Sequence, residues 1–498
     1  MFLSKKKYII IFFLLASLAV LVYLMKFLFP IQGYPVHGQM FPVGSDEVTH
    51  LAATKSVLWY FQDPFFFNNM TIFQDPFPGS PYMLALIGII SYTSSVDPGT
   101  IMILMKVVFL FLYFIVIYGI IRYFFKEEFQ RNTSFLLYLT LGGVGGLAYL
   151  MIFIFQGNVS GSLAGVLLFN GISGGTAVYH TASLFFGYLS LLLMLKNKIY
   201  SSGLSSGLSL LIYPSFGAVF ILLTLIYGFL RKEIKYAKIA IISALFALPW
   251  IASYFQYPDL FHKMGALRNY VNIPVFFVQG FFIIIFTSLY ILKYYKPKKD
   301  VNTDFIVIFV ALTVLLTLLP PQISPVPNPQ RFIWIVFFPL AIVGTMGIFA
   351  FAEKNRLPKL FIIVILVISS ATLVLGHIQA YTNSELYLSY DEYNALLFLK
   401  NQEFGNVLTN ERLENYVPYI AEKRSTSRLF YPDNPFFVEL EKAYSGEVNI
   451  ENMLKKYNIR YVLLVKNDTL NHNIQKIKPF KKLYENDELE LIEISSKS

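Results

Sequence analysis

The sequence contains no cysteine, and only 14% of its 498 residues are charged. The absence of cysteine excludes disulfide bonds, thiolate metal ligands and cysteine nucleophiles. Soluble chains carry about a quarter charged residues, so the shortage of charge argues against a soluble protein. Instead 56% of the residues are hydrophobic and 17% are aromatic. Because the apolar residues come in long runs, the composition predicts a polytopic α-helical membrane protein.

The net charge of +10 does not indicate a nucleic-acid partner, because the basic residues lie in short clusters beside apolar runs and the chain carries no nucleic-acid-binding motif. Basic clusters beside membrane spans are typical of cytoplasmic loops. Lys5–Lys7 and the clusters at 231–235, 293–299 and 354–359 are therefore predicted to be cytoplasmic. The N-terminus is then cytoplasmic, and 30–81, 257–272, 320–330 and the chain after residue 379 are external. We expect a multi-pass protein of the plasma membrane.

The apolar segments set the number of crossings. Tyr8–Phe29 reads as a retained first span, because it is longer than the apolar core of a signal peptide. Further segments lie at 82–96, 100–124, 133–155, 177–195, 202–230, 237–256, 273–293, 304–319, 331–352 and 358–378. A crossing needs about 20 residues, which segment 82–96 lacks. The pattern predicts about eleven transmembrane helices.

The topology of the front half has two solutions. In one, segment 100–124 runs inward and Arg122, Lys126 and Arg131 are cytoplasmic. This solution needs 82–96 to be re-entrant or interfacial, and 202–230, which contains Tyr213-Pro214, to be a hairpin or a broken helix. In the other solution every segment is a simple span. Both solutions place the C-terminus outside.

The composition changes near residue 380, where long apolar runs stop and charged residues become frequent. Asp391–Gln402 is predicted to be a helix, and Gly405–Thr409, Ile459–Val465 and Glu488–Ile494 are predicted strands. The sequence therefore predicts a transmembrane domain over 1–379, with its first external loop at 30–81, and a small extracytoplasmic α/β domain over 380–498.

The first external loop contains the segment Gly44–Ala53, which carries an acidic pair at a predicted helix start. Ser45 is a candidate N-cap, and Asp46 and His50 share one helix face. An ionised carboxylate in a first helical turn can act as a general base on a hydroxyl or bind a divalent cation. Helix capping alone is the structural alternative.

Other candidate substrate-binding residues lie in or near external loops. Arg331 ends the Pro-rich loop 320–330, where its planar guanidinium and a helix N-terminus suit a phosphate; anchoring at lipid headgroups is the alternative. Arg268 and Lys263 follow the same logic. His180 starts an apolar segment and could bind sugar or phosphate, or be structural. Asp75 and Asp63 each precede proline, so each is either an acidic site residue or the start of a turn.

Two glycine-rich runs, Gly142–Gly146 and Gly171–Gly175, lack the following Lys-Ser/Thr of a phosphate-binding loop. Small residues in apolar segments allow close helix packing or helix breaks. We therefore predict a structural role for both runs.

The pattern Asp46-Glu47 … His50 … Ala52-Ala53 … Tyr60 … Asp63-Pro64, followed by Phe77–Tyr82, resembles the first external loop of GT-C membrane glycosyltransferases. It is most similar to the branch with protein O-mannosyltransferases and aminoarabinose transferases. The resemblance implies a GT-C-like transmembrane domain and an inverting transfer of a sugar from a polyprenyl-phosphate donor on the extracytoplasmic side. It implies that Asp46 and Glu47 are the catalytic acidic residues, with Asp46 as base or metal ligand.

The same comparison leaves the acceptor open among protein, lipid and glycan. The chain departs from the family pattern because it lacks the paired His-Pro-Pro often found before the next membrane segment. It also lacks Trp-Trp-Asp, and this second absence argues against an oligosaccharyltransferase. Two other functions remain: a transporter or flippase for a lipid-linked saccharide, and a non-catalytic membrane subunit. Transporters often have repeated halves and charged residues inside their spans. This chain has no clear internal repeat and few charges inside its apolar segments, so these features do not favour a transporter.

Overall fold

The structure is a computed structural model. It describes residues 54, 81–156, 178–251, 273–297, 300–319, 329–382, 388–410, 413–414, 416–426, 436, 438–440, 442, 447–466 and 480–494. The chain divides into two compact units. The first is formed by Met1–Lys26 and Met105–Asn383, and the second by Phe27–Leu104 and Ser384–Ser498.

The described residues before position 383 are almost entirely helical. The helices are α1 (Pro81–Ser94), α2 (Pro98–Phe124), α3 (Glu128–Thr140), α4 (Gly145–Gln156), α5 (Val178–Leu195), α6 (Ile199–Ile212), α7 (Pro214–Arg231), α8 (Ala237–Leu245), α9 (Ile273–Gln279), α10 (Phe281–Leu289), α11 (Val301–Leu318), α12 (Ile333–Lys354) and α13 (Lys359–Thr382).

Within the described ranges, the helices long and apolar enough to cross a membrane are five: α2, α5, α7, α11 and α12. They make the chain a multi-pass membrane protein. The predicted count of about eleven crossings is not confirmed. Helix α1 has 14 residues, so it rises only about 21 Å. It is too short for a hydrocarbon core of about 30 Å, as its sequence predicts.

Side-chain pairs set the directions of the first helices. Tyr118 on α2 donates a hydrogen bond to the Asn132 side chain on α3 (3.0 Å). Nearer the start of α2, Tyr113 contacts Tyr138, which lies nearer the end of α3. Helices α2 and α3 are therefore antiparallel. By contrast α5 runs parallel to α2. Phe109 and Phe185 have ring centroids 5.8 Å apart, Tyr113 and Tyr188 follow at 5.6 Å, and Tyr123 reaches the last residue of α5.

Serines join α5 to α6 in the antiparallel direction. Ser209 donates to the Ser183 carbonyl at 2.8 Å, and Ser202 donates to the Ser190 carbonyl at 2.9 Å. Such bonds satisfy hydroxyls inside an apolar bundle and let the backbones approach closely.

The predicted break at Tyr213-Pro214 is present and makes a helical hairpin. Helix α6 ends at Ile212, and α7 begins at Pro214. Ser243 donates to the Gly203 carbonyl (3.0 Å) and Trp250 donates to the Leu211 carbonyl (2.7 Å), so α8 and the residues after it run parallel to α6. Helix α7 connects the end of α6 to the start of α8 and must run back. This is the hairpin that the first topology requires.

Basic residues gather at one end of the first unit. The Lys359 ammonium lies 5.6 Å from the Phe129 ring at the start of α3, so the start of α13 adjoins the link between α2 and α3. Together with the helix directions above, this contact places these residues at the same end: Arg122, Lys126, Arg131, Lys196, Lys198, Arg231, Lys232, Lys354 and Lys359. The structure therefore agrees with the solution in which α2 runs towards the basic side.

Two apolar segments that hydropathy presents as single spans are each broken into two helices. Segment 133–155 is interrupted between α3 and α4, where Leu141 and Gly142 have φ of 57° and 60°. Segment 273–293 is interrupted at Gly280. The two breaks exchange backbone hydrogen bonds: Val144 N–H donates to the Val278 carbonyl (3.0 Å) and Phe282 N–H donates to the Gly142 carbonyl (2.9 Å). Backbone groups freed by a break need such partners in an apolar surrounding.

Glycine at position 143 is required by this exchange. A Cβ there would lie 2.0 Å from the Gln279 carbonyl oxygen, which is backbone and has no rotamer to adopt. This supports the predicted structural role of the run Gly142–Gly146.

We expect Gly143→Ala to lower the melting temperature of the purified full-length chain in detergent by several degrees, because overpacking costs about 1–3 kcal/mol. Gly119→Ala is the matched control, because the nearest atom to its Cβ would belong to the flexible Leu192 side chain, at 3.1 Å. Equal melting temperatures for both variants and the wild type would contradict the packing argument.

The C-terminal part of the second unit is the predicted α/β fold. Its elements are α14 (Tyr390–Lys400), β1 (Asn406–Leu408), β2 (Arg424–Ser425), α15 (Ile450–Lys456), β3 (Ile459–Val465), β4 (Phe480–Glu485) and β5 (Leu489–Ile494). The sheet order is β2-β1-β3-β5-β4, with β1 parallel to β2 and β3, and β5 antiparallel to β3 and β4. The three predicted strands are confirmed to within one residue at each end, whereas β2 and β4 were not predicted.

Asp97 ties the start of α2 to this α/β fold within the second unit. Its carboxylate accepts a hydrogen bond from the Gly99 backbone N–H (2.8 Å) and another from the Tyr419 hydroxyl (3.0 Å). Burial, and then the negative charge of Asp97, raise the pKa of Tyr393. The link between α1 and α2, at 95–97, therefore belongs with the α/β fold of the second unit. Asp97 and Tyr419 are nevertheless separated by 322 positions in the sequence.

Candidate functional site

Arg331 is held at the start of α12 by an aromatic partner. It lies in the 3₁₀ turn Pro329–Phe332, directly before α12 begins at Ile333. Its Nη1 donates a hydrogen bond to the Tyr213 hydroxyl, and its guanidinium carbon lies 5.6 Å from the centroid of the Tyr213 ring. A guanidinium beside the positive end of a long helix forms a favourable environment for an anion.

Tyr213 occupies the break between α6 and α7, which fixes its ring. Its backbone is extended, with φ −145° and ψ 98°. Its N–H donates to the Ser209 carbonyl (2.9 Å), and its own carbonyl accepts from Gly217 N–H (3.1 Å). Pro214 cannot continue a preceding helix, because it disfavours the helical conformation at the residue before it. The sequence thus places an aromatic hydroxyl at the turn of the hairpin.

His180 lies in the first turn of α5 and contacts the same tyrosine. It is buried, and its ring centroid lies 4.8 Å from Tyr213 and 4.7 Å from Trp334. Phe216 packs against it at 5.7 Å. The structure therefore brings together two of the predicted site residues, Arg331 and His180, through Tyr213.

Sequence reasoning did not assign a site role to Tyr213 or Trp334. For Tyr213 the signal was the Tyr-Pro pair inside an apolar segment, which predicts the break but not the partner of the hydroxyl. Trp334 follows Arg331 by three residues, a spacing that places both on one face of a helical turn. Within the described ranges its indole Nε1 is buried and lacks a hydrogen-bond acceptor, which is uncommon for a buried donor.

The other predicted site residues lie outside the described residues: Asp46, Glu47, His50, Asp75 and Arg268, and also Asp63 and Lys263. Their roles stay predictions. Among the residues that the structure does describe, no group of three or more His, Asp or Glu side chains could hold a metal ion. The described site thus offers a cation and aromatic rings, which suit a phosphate and the apolar face of a sugar.

The structure defines a class of protein: a multi-pass α-helical membrane protein with a small α/β domain. Its helical bundle has a basic end, and its site lies at the starts of α5 and α12. Comparison with solved structures specifies the fold. The chain matches ArnT from Cupriavidus metallidurans bound to undecaprenyl phosphate with a TM-score of 0.59 and 11% identity, covering 99% of both chains. The alignment with ArnT thus extends over almost all of both chains.

Two further solved structures have the same fold. The oligosaccharyltransferase of Archaeoglobus fulgidus in its apo form matches with a TM-score of 0.57 and 13% identity, over 91% of this chain and 69% of that one. The mycobacterial arabinofuranosyltransferase AftD matches with a TM-score of 0.60 and 10% identity, over 98% of this chain and 40% of that one.

All of these are GT-C membrane glycosyltransferases, so the chain has the GT-C fold. No protein-family model matches the chain, and no curated protein matches it. The shared fold does not by itself establish the activity of this chain, because one fold carries several activities.

Proposed function

We propose that the protein is a membrane glycosyltransferase that moves a sugar from a polyprenyl-phosphate donor to an acceptor on the extracytoplasmic side. The observation that carries the proposal is the full-length fold likeness to ArnT, whose solved structure holds undecaprenyl phosphate. The position of Arg331, at a helix start and beside aromatic rings, adds a group suited to a lipid phosphate.

The proposed mechanism assigns one task to each predicted residue. Asp46 removes the proton from the acceptor hydroxyl, and the adjacent carboxylate of Glu47 supports it. The hydroxyl oxygen attacks the anomeric carbon, the bond from that carbon to the phosphate oxygen breaks, and the electron pair leaves with the polyprenyl phosphate. Attack opposite the leaving group inverts the anomeric configuration. Arg331 stabilises the negative charge of the departing phosphate.

The remaining residues are assigned to binding. His50, His180, Arg268 and Asp75 contact the sugar or its phosphate, with His180 placed beside Arg331 by the Tyr213 ring. A divalent cation would take Asp46 as ligand and would supply further stabilisation of phosphate charge. The acceptor is a protein, a lipid or a glycan; a fold relative from Archaeoglobus fulgidus is solved with an acceptor peptide carrying an NVT sequon.

A transfer assay tests the proposal. Membranes containing the overproduced chain receive radiolabelled polyprenyl-phosphate sugars and a panel of peptide, lipid and glycan acceptors. We expect label to appear on one acceptor class with release of polyprenyl phosphate. Movement of the labelled lipid between leaflets without transfer to any acceptor would instead identify a flippase. An absence of both would leave a non-catalytic subunit.

We propose that the basic end of the first unit is cytoplasmic, with the N-terminus, and that the α/β domain is extracytoplasmic in the plasma membrane. A chain with no native cysteine makes this simple to measure. In intact cells a membrane-impermeant maleimide should label Gln330→Cys and Asp487→Cys, whereas Lys232→Cys should react only after permeabilisation. Lys232 and Asp487 are both exposed in the structure. The opposite labelling pattern would reject the orientation.

A further inference from the structure

The contact between Tyr213 and Arg331 links a helix break to the predicted phosphate ligand. The hydroxyl of Tyr213 accepts a hydrogen bond from Nη1, and the guanidinium lies against the ring at 5.6 Å. A guanidinium has five N–H donors in a planar fork. The bond to Tyr213 uses one of these donors, at Nη1.

Tyr213 is itself held rigidly on several sides. Its ring stacks on Tyr179 at 5.9 Å with an interplanar angle of 28°, meets His180 edge-on at 4.8 Å, and contacts Phe216 at 4.6 Å. Its backbone is fixed by the end of α6 and the start of α7. The hydroxyl thus has a defined position, which a tyrosine on a long flexible loop would lack.

A fixed hydroxyl matters because arginine is flexible. A mobile arginine side chain loses rotamer entropy when it binds a phosphate. A hydrogen bond together with a ring face selects one guanidinium orientation before the ligand arrives.

Helix α7, which begins directly after Tyr213, carries a comparable pair at its C-terminal end. Tyr227 accepts a hydrogen bond from Arg231 Nε at 3.0 Å, and that guanidinium lies 5.3 Å from its ring. This pair lies on the basic side, away from the site. A tyrosine–arginine pair therefore lies at each end of α7, with Tyr213 directly before its first residue, and the pair of Tyr227 and Arg231 is an internal control for the pair at the site.

We propose that Tyr213 is a positioning residue that orients the guanidinium of Arg331 towards the phosphate of the polyprenyl donor. The proposal rests on the proposed function, because it takes Arg331 as the phosphate ligand. Tyr213 acts through Arg331 and does not take part in bond making or breaking.

Binding of undecaprenyl phosphate to the purified full-length protein in detergent tests the proposal, with undecaprenol as the probe that lacks phosphate. Tryptophan fluorescence is the readout, because Trp334 lies at the site. Tyr213→Phe keeps the ring and removes the hydroxyl. We expect its Kd for undecaprenyl phosphate to rise about 5- to 10-fold, as for the loss of one hydrogen bond. The Kd for undecaprenol and the melting temperature should not change.

Two further variants complete the experiment. Tyr227→Phe removes the comparable hydroxyl at the other end of α7, and we expect wild-type affinity for undecaprenyl phosphate. In an Arg331→Gln background, Tyr213→Phe should cause no additional loss, because residues that act through one another are non-additive.

The outcomes distinguish a failure of the proposed function from a failure of the positioning role of Tyr213. If Arg331→Gln binds undecaprenyl phosphate as tightly as the wild type, the assigned phosphate ligand is wrong and the proposed function loses its support from this site. If Arg331→Gln weakens binding and Tyr213→Phe does not, the positioning role alone is overturned. The positioning role is also overturned if Tyr213→Phe weakens binding equally in both backgrounds, or weakens undecaprenol to the same extent.

Discussion

Asp46→Asn is expected to lower the rate of sugar transfer by about 100-fold or more, because general base catalysis contributes about 10²–10⁴-fold. Asparagine has the size of aspartate, and the substitution leaves Ser45, the candidate N-cap, unchanged. The predicted helix start should therefore persist while the ability to accept a proton is lost. The measurement is the initial rate of transfer from a radiolabelled polyprenyl-phosphate sugar, with the amount of folded protein set equal.

Asp391→Asn provides the matched control. Asp391 lies in the first turn of α14, in the α/β domain, so it is another aspartate at a helix start, without a proposed catalytic role. We expect transfer by this variant to equal that of the wild type. Full transfer by Asp46→Asn would show that Asp46 only caps its helix, which is the structural alternative that the sequence leaves open.

Arg331→Gln is expected to weaken use of the donor by about 10- to 100-fold in kcat/KM. A hydrogen bond to a charged group contributes about 1.5–3 kcal/mol, and each 1.4 kcal/mol corresponds to about tenfold. Glutamine retains a polar side chain but loses both the charge and the planar fork. Arg331→Lys keeps the charge alone, so we expect an intermediate loss. Rates are measured at several donor concentrations to separate kcat from KM.

The control for this substitution is Arg231→Gln, at the C-terminal end of α7 and away from the site. Arg231 is exposed, and it donates to Tyr227 much as Arg331 donates to Tyr213. Arg231 lies at the basic end of the first unit, away from the site, and we expect donor use to be unchanged. An equal loss for both variants would point to a general effect of removing arginine from this bundle, and against a phosphate site at Arg331.

Part of the architecture follows from local sequence signals. The strand Ile459–Val465 has its predicted bounds. A mostly apolar run of 7 residues between polar segments is short for a helix and favours a strand. The break at Tyr213-Pro214 appears where proline demands it. Strand β4 (Phe480–Glu485) was not predicted, because Lys481 and Lys482 interrupt the alternation of apolar and polar residues. Such lysines are characteristic of an edge strand, which is the position of β4 in the sheet.

Composition and hydropathy by themselves determined the membrane class, the grouping of basic residues that predicts orientation, and the presence of a C-terminal α/β fold. These properties depend on residue type and on spacing within a few turns of chain. The resemblance of the first loop suggested the GT-C fold, which the solved structures of the same fold confirm.

Only the tertiary structure decided which distant residues meet. Arg331, Tyr213 and His180 come from three separate helix starts and converge in one contact group. The breaks at Gly142 and Gly280 satisfy each other's backbone groups, whereas hydropathy presents each segment as one span. An apolar run records that its residues avoid water; it does not record which neighbour covers them, because that choice is made by packing between segments far apart in the chain.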